Sequence, residues 1–171
     1  PCLDDRRDGS LWAVYAQDEL ALGTRTRLTL GLRYDRNRGS HWSPRLGLIR
    51  HSAEAGTFKL LYAESFREAN VYERFYVLPA LSAANPSLDA EHLRSLEGIW
   101  EYEIGPMTRV NASLYAYRYQ DLILPDADGR HQNAGTLVSR GAEIELEHRW
   151  AGGAALLASY TRQDVKLEGA A

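Results

Sequence analysis

The stretch LVSRGAEIELEHRW, residues 137–150, places Val138, Ala142, Ile144, Leu146 and Trp150 on one set of alternate positions and Ser139, Gly141, Glu143, Glu145 and Glu147 on the other. Successive side chains of an extended strand point to opposite faces, so this stretch reads as a strand with one greasy and one charged face. Three alternating glutamates do not face a dry core. The same pattern recurs from Arg27 to Asp35, where Leu28, Leu30, Leu32 and Tyr34 alternate with Arg27, Thr29, Gly31, Arg33 and Asp35. It returns at Arg94–Ile104 and Arg109–Tyr119 and, more weakly, elsewhere, which predicts eight strands near 11–20, 26–36, 44–51, 57–65, 94–104, 108–120, 137–150 and 154–165.

The links between these segments predict how the strands are joined. ALGTR, SAEAG, GPM and AGG are short and turn-like, whereas 36–43, 66–93 and 120–136 are longer, so short and long links alternate. A sandwich with Greek-key crossings has no reason to sort its turns, whereas a membrane barrel has short turns on the periplasmic side and longer loops outside. With that polarity, Phe58, Trp100, Tyr102 and Trp150 fall at the inner ends of the greasy faces and Trp12, Tyr34, Tyr62 and Tyr160 toward the outer ends. Two aromatic girdles result, as at the two interfaces of a bilayer.

Composition is compatible with this reading. The chain has 171 residues, 44% hydrophobic and 25% charged, and no run approaches the roughly 20 apolar residues of a membrane-spanning helix, whereas a barrel strand needs only about 10 with alternate ones apolar. Ten Tyr and four Trp against three Phe favour rings with one wet end. A net charge of -3 argues against a nucleic-acid partner. The single cysteine, Cys2, forms no internal disulfide and reads as an incidental thiol. No signal peptide is visible.

The ordered runs LWAVYAQDEL, LTLGLRYDR, SPRLGLI, LLYAESFREANVYERFY, NPSLDAEHLRSLEGIWEY, VSRGAEIELEHRW and ASYTRQD resemble the barrel domain of TonB-dependent outer-membrane receptors across almost the whole chain. The resemblance implies an all-β, antiparallel, up-and-down transmembrane barrel, of which residues 1–171 supply about eight consecutive strands out of 22, without the plug domain that closes the lumen. It implies a receptor in the outer membrane of a Gram-negative bacterium for active uptake of a scarce nutrient such as an iron-siderophore, or of cobalamin or haem, and no enzymatic activity. The implied partners are outer-membrane lipid and lipopolysaccharide, a small metal-chelate ligand, and the TonB complex through the absent N-terminal plug region. A small complete eight-stranded barrel with a structural or adhesive role, and a soluble sandwich or lipocalin-like binder, are the rival readings.

Candidate site residues are few. Glu143, Glu145 and Glu147 lie along one strand without a converging nucleophile or histidine, so they read as lumen lining, paired with Arg27, Arg33, Arg45 or Arg109 on other strands; no catalytic residue is expected. Asp126 and Asp128 before Gly129 resemble the opening of a calcium loop, but the downstream glutamate ligand is missing and the run reads as a turn. The five histidines share no ligand spacing, so no metal or cofactor is expected. The long loop offers Arg67, Tyr72, Arg74 and Tyr76, guanidinium forks and amphipathic rings suited to an anionic metal chelate. Of these, Arg67 and Tyr72 belong to SFRxxNxYE and are expected to fix the exit of the strand, while Arg74 and Tyr76 are the better expectations for ligand contact.

Overall fold

The computed structural model describes residues 9–77 and 83–169; Cys2 and the stretch 78–82 of the long loop lie outside the described residues. In chain order the elements are β1 (Trp12–Ala21), β2 (Thr26–Arg36), β3 (Ser40–Ser52), β4 (Gly56–Arg67), α1 (Val71–Phe75), β5 (Glu91–Ile104), β6 (Thr108–Gln120), β7 (Ile123–Pro125), β8 (His131–Asn133), β9 (Thr136–Arg149) and β10 (Ala155–Glu168). Eight strands form one antiparallel sheet in the order β1-β2-β3-β4-β5-β6-β9-β10, and β7 and β8 make a separate hairpin between β6 and β9.

A single layer of sheet cannot bury one face against another layer. Among the described residues the buried apolar side chains are Leu88, Ala90 and Ile123, none of them in the eight-stranded sheet, while Leu30, Leu32, Leu46, Leu60, Leu114 and Ile144 stand exposed on its greasy face. A soluble sandwich or lipocalin would cover that face, and nothing described here does. Nor is the sheet closed. Among the described residues β1 pairs only with β2 and β10 only with β9, which corrects the reading of a complete eight-stranded barrel.

The link read as long between the second and third segments is in fact tight. Asn37–Gly39 turn on an Asn37 amide donating to the Gly39 carbonyl at 3.1 Å, and His41 and Trp42 are already paired with Asp35 and Tyr34. Pro44 obscures the strand in the sequence because it lacks an amide hydrogen. It is accommodated because the β3–β4 ladder begins one residue later, at Arg45 opposite Ala63, so Pro44 lies outside it. Beyond Ala63, β4 continues paired with β5 alone. Long and short links therefore do not alternate strictly, but 68–90 and 121–135 still mark one end of the sheet as the one with large loops.

Register gives the tilt of the wall. Tyr62 aligns through Leu46 with Leu30 on β2, and Trp12 of β1 lies opposite Arg36, six residues further outward. In the other direction Tyr62 aligns through Leu96, Ala116 and Arg140 with Asp164 on β10, four residues outward of Tyr160. The outer aromatic line thus drops by about ten residues over seven strand steps. At roughly 3.3 Å per residue and 4.8 Å per strand, it crosses the ladders at about 45°. That is the tilt a transmembrane barrel requires if its aromatics are to lie level. Trp42 joins this line between Tyr34 and Tyr62, its ring centroid 4.6 Å from that of Tyr34, which lies 5.3 Å from that of Trp12.

The polar face carries short-range pairs. Lys59 donates to Glu101 at 2.6 Å, Tyr117 to Glu97 at 3.0 Å and Asn111 to Glu145 at 3.1 Å. Among the described residues the expected long-range arginine partners of the β9 glutamates are not made. Arg109 lies opposite Glu147 yet bonds Glu103 at 3.1 Å, Glu147 takes Arg149 at 2.6 Å, Arg33 grips Asp35 through two bonds, and Arg27 reaches Glu19 at 3.4 Å. The sheet is too broad for a side chain on β2 to reach β9. Gly141 sits beneath the Tyr115 ring on this face, where a methyl group would collide with the ring, so the tyrosine fills the place of the missing side chain.

Candidate functional site

The end of the sheet with large loops carries a compact rim. β4 runs out through Ser65, Phe66 and Arg67 into α1, whose first turn is closed by a reciprocal cap: Asn70 Oδ1 accepts from the Glu73 amide at 2.9 Å and Glu73 Oε2 accepts from the Asn70 amide at 2.8 Å. This is the Asn-x-x-Glu of ANVYE acting as a capping box, and it lets a helix of only five residues hold its shape. Glu73 also receives Arg67 Nη1 at 3.0 Å. Arg67 Nε donates to Glu91 at 2.7 Å, and Glu91 in turn accepts from the Ile123 amide at 2.8 Å. A single arginine thus ties the end of β4 and α1 to the start of β5 and, through Glu91, to β7.

Arg74 lies under the loop rather than on it. The residue is 7% exposed, and its guanidinium donates to the carbonyls of Pro86 at 2.9 Å and Leu88 at 2.5 Å, with Glu68 3.4 Å away. The run NPSLD is therefore drawn onto α1 from one side. From the other, Asn85 Nδ2 donates to the His131 carbonyl at 2.7 Å, and Asn133 Oδ1 accepts from the Asp89 amide at 2.9 Å while its Nδ2 donates to the carbonyls of Asp89 and Asp121. Leu88, Ala90 and Ile123 are the buried apolar residues of this rim among the described residues. His41 adds a strut from β3, stacked on Phe66 at 4.1 Å and 3.0 Å from Glu68.

Each expected contact residue now has a place. Arg67 is half exposed at the strand exit, Tyr72 projects into solvent and stacks on Tyr76 at 4.4 Å, and Arg74 is buried beneath them. The edge of His131 meets the Tyr72 ring at 5.9 Å, so the helix and the β7–β8 hairpin share one surface. Glu68, Asn85, Glu91 and Asn133 hold this rim and were not singled out from sequence; their signal is a short polar side chain beside a turn residue or a buried leucine, which is common in any loop. The Asp126 carboxylate is engaged in the hairpin turn, accepting from the amides of Asp128 at 3.0 Å and Arg130 at 2.9 Å and from the Gln132 side chain. These bonds, the Arg130 amide foremost, hold its carboxyl below the usual aspartate range.

Residues 1–170 match the family model described as TonB dependent receptor-like, beta-barrel. Among solved structures, the chain is similar to the siderophore receptor PirA from Pseudomonas aeruginosa, with 25% identity and a TM-score of 0.84 over 92% of this chain and 32% of that one. The FrpB iron transporter from Neisseria meningitidis (F3-3 variant) aligns at 22% identity and a TM-score of 0.73 over 91% of this chain and 25% of its own. The copper transporter OprC aligns at 18% identity and a TM-score of 0.72 over 91% and 28%. No curated protein matches significantly. The chain thus spans between a quarter and a third of these relatives. Proteins of this family are outer-membrane receptors and transporters of Gram-negative bacteria, not enzymes. With its tilted single-layer wall, its polar inner face and its pinned outer rim, the chain belongs to the TonB-dependent receptors and forms part of their β-barrel.

Proposed function

We propose that this chain is the wall, lumen lining and part of the outer mouth of a receptor in the outer membrane that imports a scarce nutrient, an iron-siderophore first among the candidates, with energy relayed by TonB through a plug region. The observation that carries the reading is the rim. Arg67 and Arg74 fix α1 and NPSLD through two bonds each, and the result is a platform presenting the stacked Tyr72 and Tyr76 rings. Paired rings on such a support suit a planar, aromatic chelate, with the free edge of Arg67 beside them for anionic oxygens. The match to a siderophore receptor at 25% identity supports the choice of ligand class. Outer-membrane lipid and lipopolysaccharide surround the greasy face in this reading.

The test is uptake by cells carrying the intact receptor. Deleting the gene should abolish accumulation of one labelled ferric chelate, and collapsing the proton-motive force should do the same in the undeleted strain. Haem, cobalamin and copper serve as parallel substrates. Uptake that persists without the proton-motive force refutes TonB dependence, and loss confined to one of the other substrates reassigns the ligand.

A further inference from the structure

The outer aromatic line is not continuous. Trp12, Tyr34, Trp42 and Tyr62 mark it on β1 to β4, but among the described residues β5, β6 and β9 carry no ring at its height on the greasy face. Arginines stand outward of the gap. Arg94 on β5 and Arg118 on β6 are directly opposite one another, Arg140 on β9 lies two residues inward of the position facing Arg118, and Arg162 on β10 lies two residues inward of the position facing Arg140. All four share the greasy face with Leu96, Leu114, Ala142 and Tyr160, as strand alternation requires. The row falls by four residues over three strand steps, nearly the slope of the aromatic line, and runs just outward of it. It is therefore level along the membrane surface, on the side turned toward lipid.

Like charges directly opposite in a ladder are destabilising unless something neutralises them. Internal carboxylates do so incompletely. Glu64 is 3.5 Å from Arg94 and Glu168 is 3.8 Å from Arg118, both long pairs between half-exposed groups, and Glu64 also takes the Tyr62 hydroxyl. Asp164 faces Lys166 at 3.9 Å. Among the described residues no ion pair reaches Arg140 or Arg162. Four arginines and Lys166 stand against three acids, so the strip keeps a net positive charge.

Below the row the wall is hollowed. Gly98, Ala112 and Ala142 form the floor of an apolar trough of about 630 Å³ flanked by Leu60, Trp100 and Tyr160. Its outer end meets the row, because Ala142 is the ladder partner of Arg162. Cations at the head of an apolar trough are complementary to a lipid with an anionic headgroup and a packed acyl chain.

Building on the barrel reading, we infer that the strip formed by Arg94, Arg118, Arg140 and Arg162, with the trough beneath it, is a binding site for a bisphosphorylated glycolipid of the outer leaflet, the anchor portion of lipopolysaccharide. Arg94 and Arg118 take one phosphate and Arg140 and Arg162 the other. By strand spacing the centres of the two pairs are roughly 14 Å apart, the span of a sugar pair phosphorylated at both ends. A lipid with a single phosphate serves one pair and leaves the other unneutralised. Guanidinium forks match phosphate oxygens with paired bonds, which favours arginine over lysine at these positions.

The experiment is native mass spectrometry of the intact receptor in mild detergent, after outer-membrane fractionation and a heat-modifiability check of the barrel. The probes are a bisphosphorylated glycolipid anchor, its dephosphorylated form and phosphatidylglycerol. The wild type should retain the bisphosphorylated lipid at least tenfold better than either alternative. Arg140→Gln with Arg162→Gln, and separately Ala142→Phe, should each lower retention at least fivefold, while Arg27→Gln with Arg45→Gln on the lumen face leaves it unchanged. Equal retention of phosphatidylglycerol, retention indifferent to phosphate, or an equal loss in the lumen-face variant overturns the site. A receptor that is absent from the outer membrane defeats the barrel reading itself, whereas a heat-modifiable barrel that retains no glycolipid defeats only the inference.

Discussion

Leu60 and Leu61 are neighbours in β4 and carry the assignment of the two faces between them. Leu60 sits between Phe58 and Tyr62 on the greasy face, aligned with Leu48 and Gly98, while Leu61 points to the polar face between Gly47 and Glu97. An arginine at a lipid-facing position near the bilayer midplane costs about 2–4 kcal/mol, and the cost falls toward the interfaces. Leu60 lies on the lipid-facing side between Phe58 and Tyr62, so Leu60→Arg should cost up to about 2–4 kcal/mol of barrel stability. Leu61→Arg gives up modest packing on Gly47 and gains Glu97 as a cross-strand partner, so its cost should be below about 1 kcal/mol. Reversible unfolding of the intact receptor in phospholipid vesicles, followed by tryptophan fluorescence in guanidinium, measures both. Equal costs, or a larger cost at Leu61, would refute the face assignment and with it the tilt and the arginine strip.

Four further outcomes follow from particular contacts. Gly141→Val drives a branched side chain into Tyr115 and should cost about 1–3 kcal/mol in the same unfolding assay, whereas Gly152→Val, in open space, should cost under about 1. Arg74→Ala frees the carbonyls of Pro86 and Leu88 and should loosen the rim by about 2–3 kcal/mol, seen as faster protease cleavage within 83–90 of receptor in intact cells, with the heat-modified mobility of the barrel unchanged. Tyr72→Ala with Tyr76→Ala should raise the ligand Kd roughly tenfold through loss of the ring pair, by isothermal titration of purified receptor; an unchanged Kd removes both residues from the proposed contact. Asp126 has a depressed carboxyl pKa in the folded hairpin, so its contribution is present above the usual aspartate value and is lost as pH falls through the lower folded value; amide exchange at Asp128 and Arg130, corrected for intrinsic rates, should quicken there and become independent of this titration in Asp126→Asn.

The strands were legible because each side of the sheet meets a different medium. Leu28, Leu30 and Leu32 against Arg27, Thr29 and Arg33 is a pattern of period two that no helix shares, and short turns such as AGG set the pairing. The start of β3 was hidden, since Asn37, Arg38, Gly39 and Ser40 have loop composition and Pro44 resembles a boundary; only the neighbouring ladder shows that its missing amide is harmless. The rim was legible as a loop but not as a structure. Arg74 is indistinguishable from a ligand-binding arginine until NPSLD is seen folded over it, a contact between residues 12 to 14 positions apart. The arginine strip shows the same limit. Arg94, Arg118, Arg140 and Arg162 each interrupt an otherwise greasy face, and only register across four strands makes them one feature.

The ladder between β3 and β4 joins eight residue pairs, against fourteen between β9 and β10, and it stops at Ala63 while β4 runs on beside β5. Outward of that point the wall is two plates meeting at a seam bridged by His41, through Glu68, Phe66 and His92, and by Arg38 over the Phe75 ring at 5.3 Å. Among the described residues the Tyr72 and Tyr76 platform is therefore tied by backbone pairing to β4 and β5, and only by side chains to β1 to β3. The outer wall has a seam in its backbone pairing, and that seam runs beside the residue that has no amide hydrogen to offer.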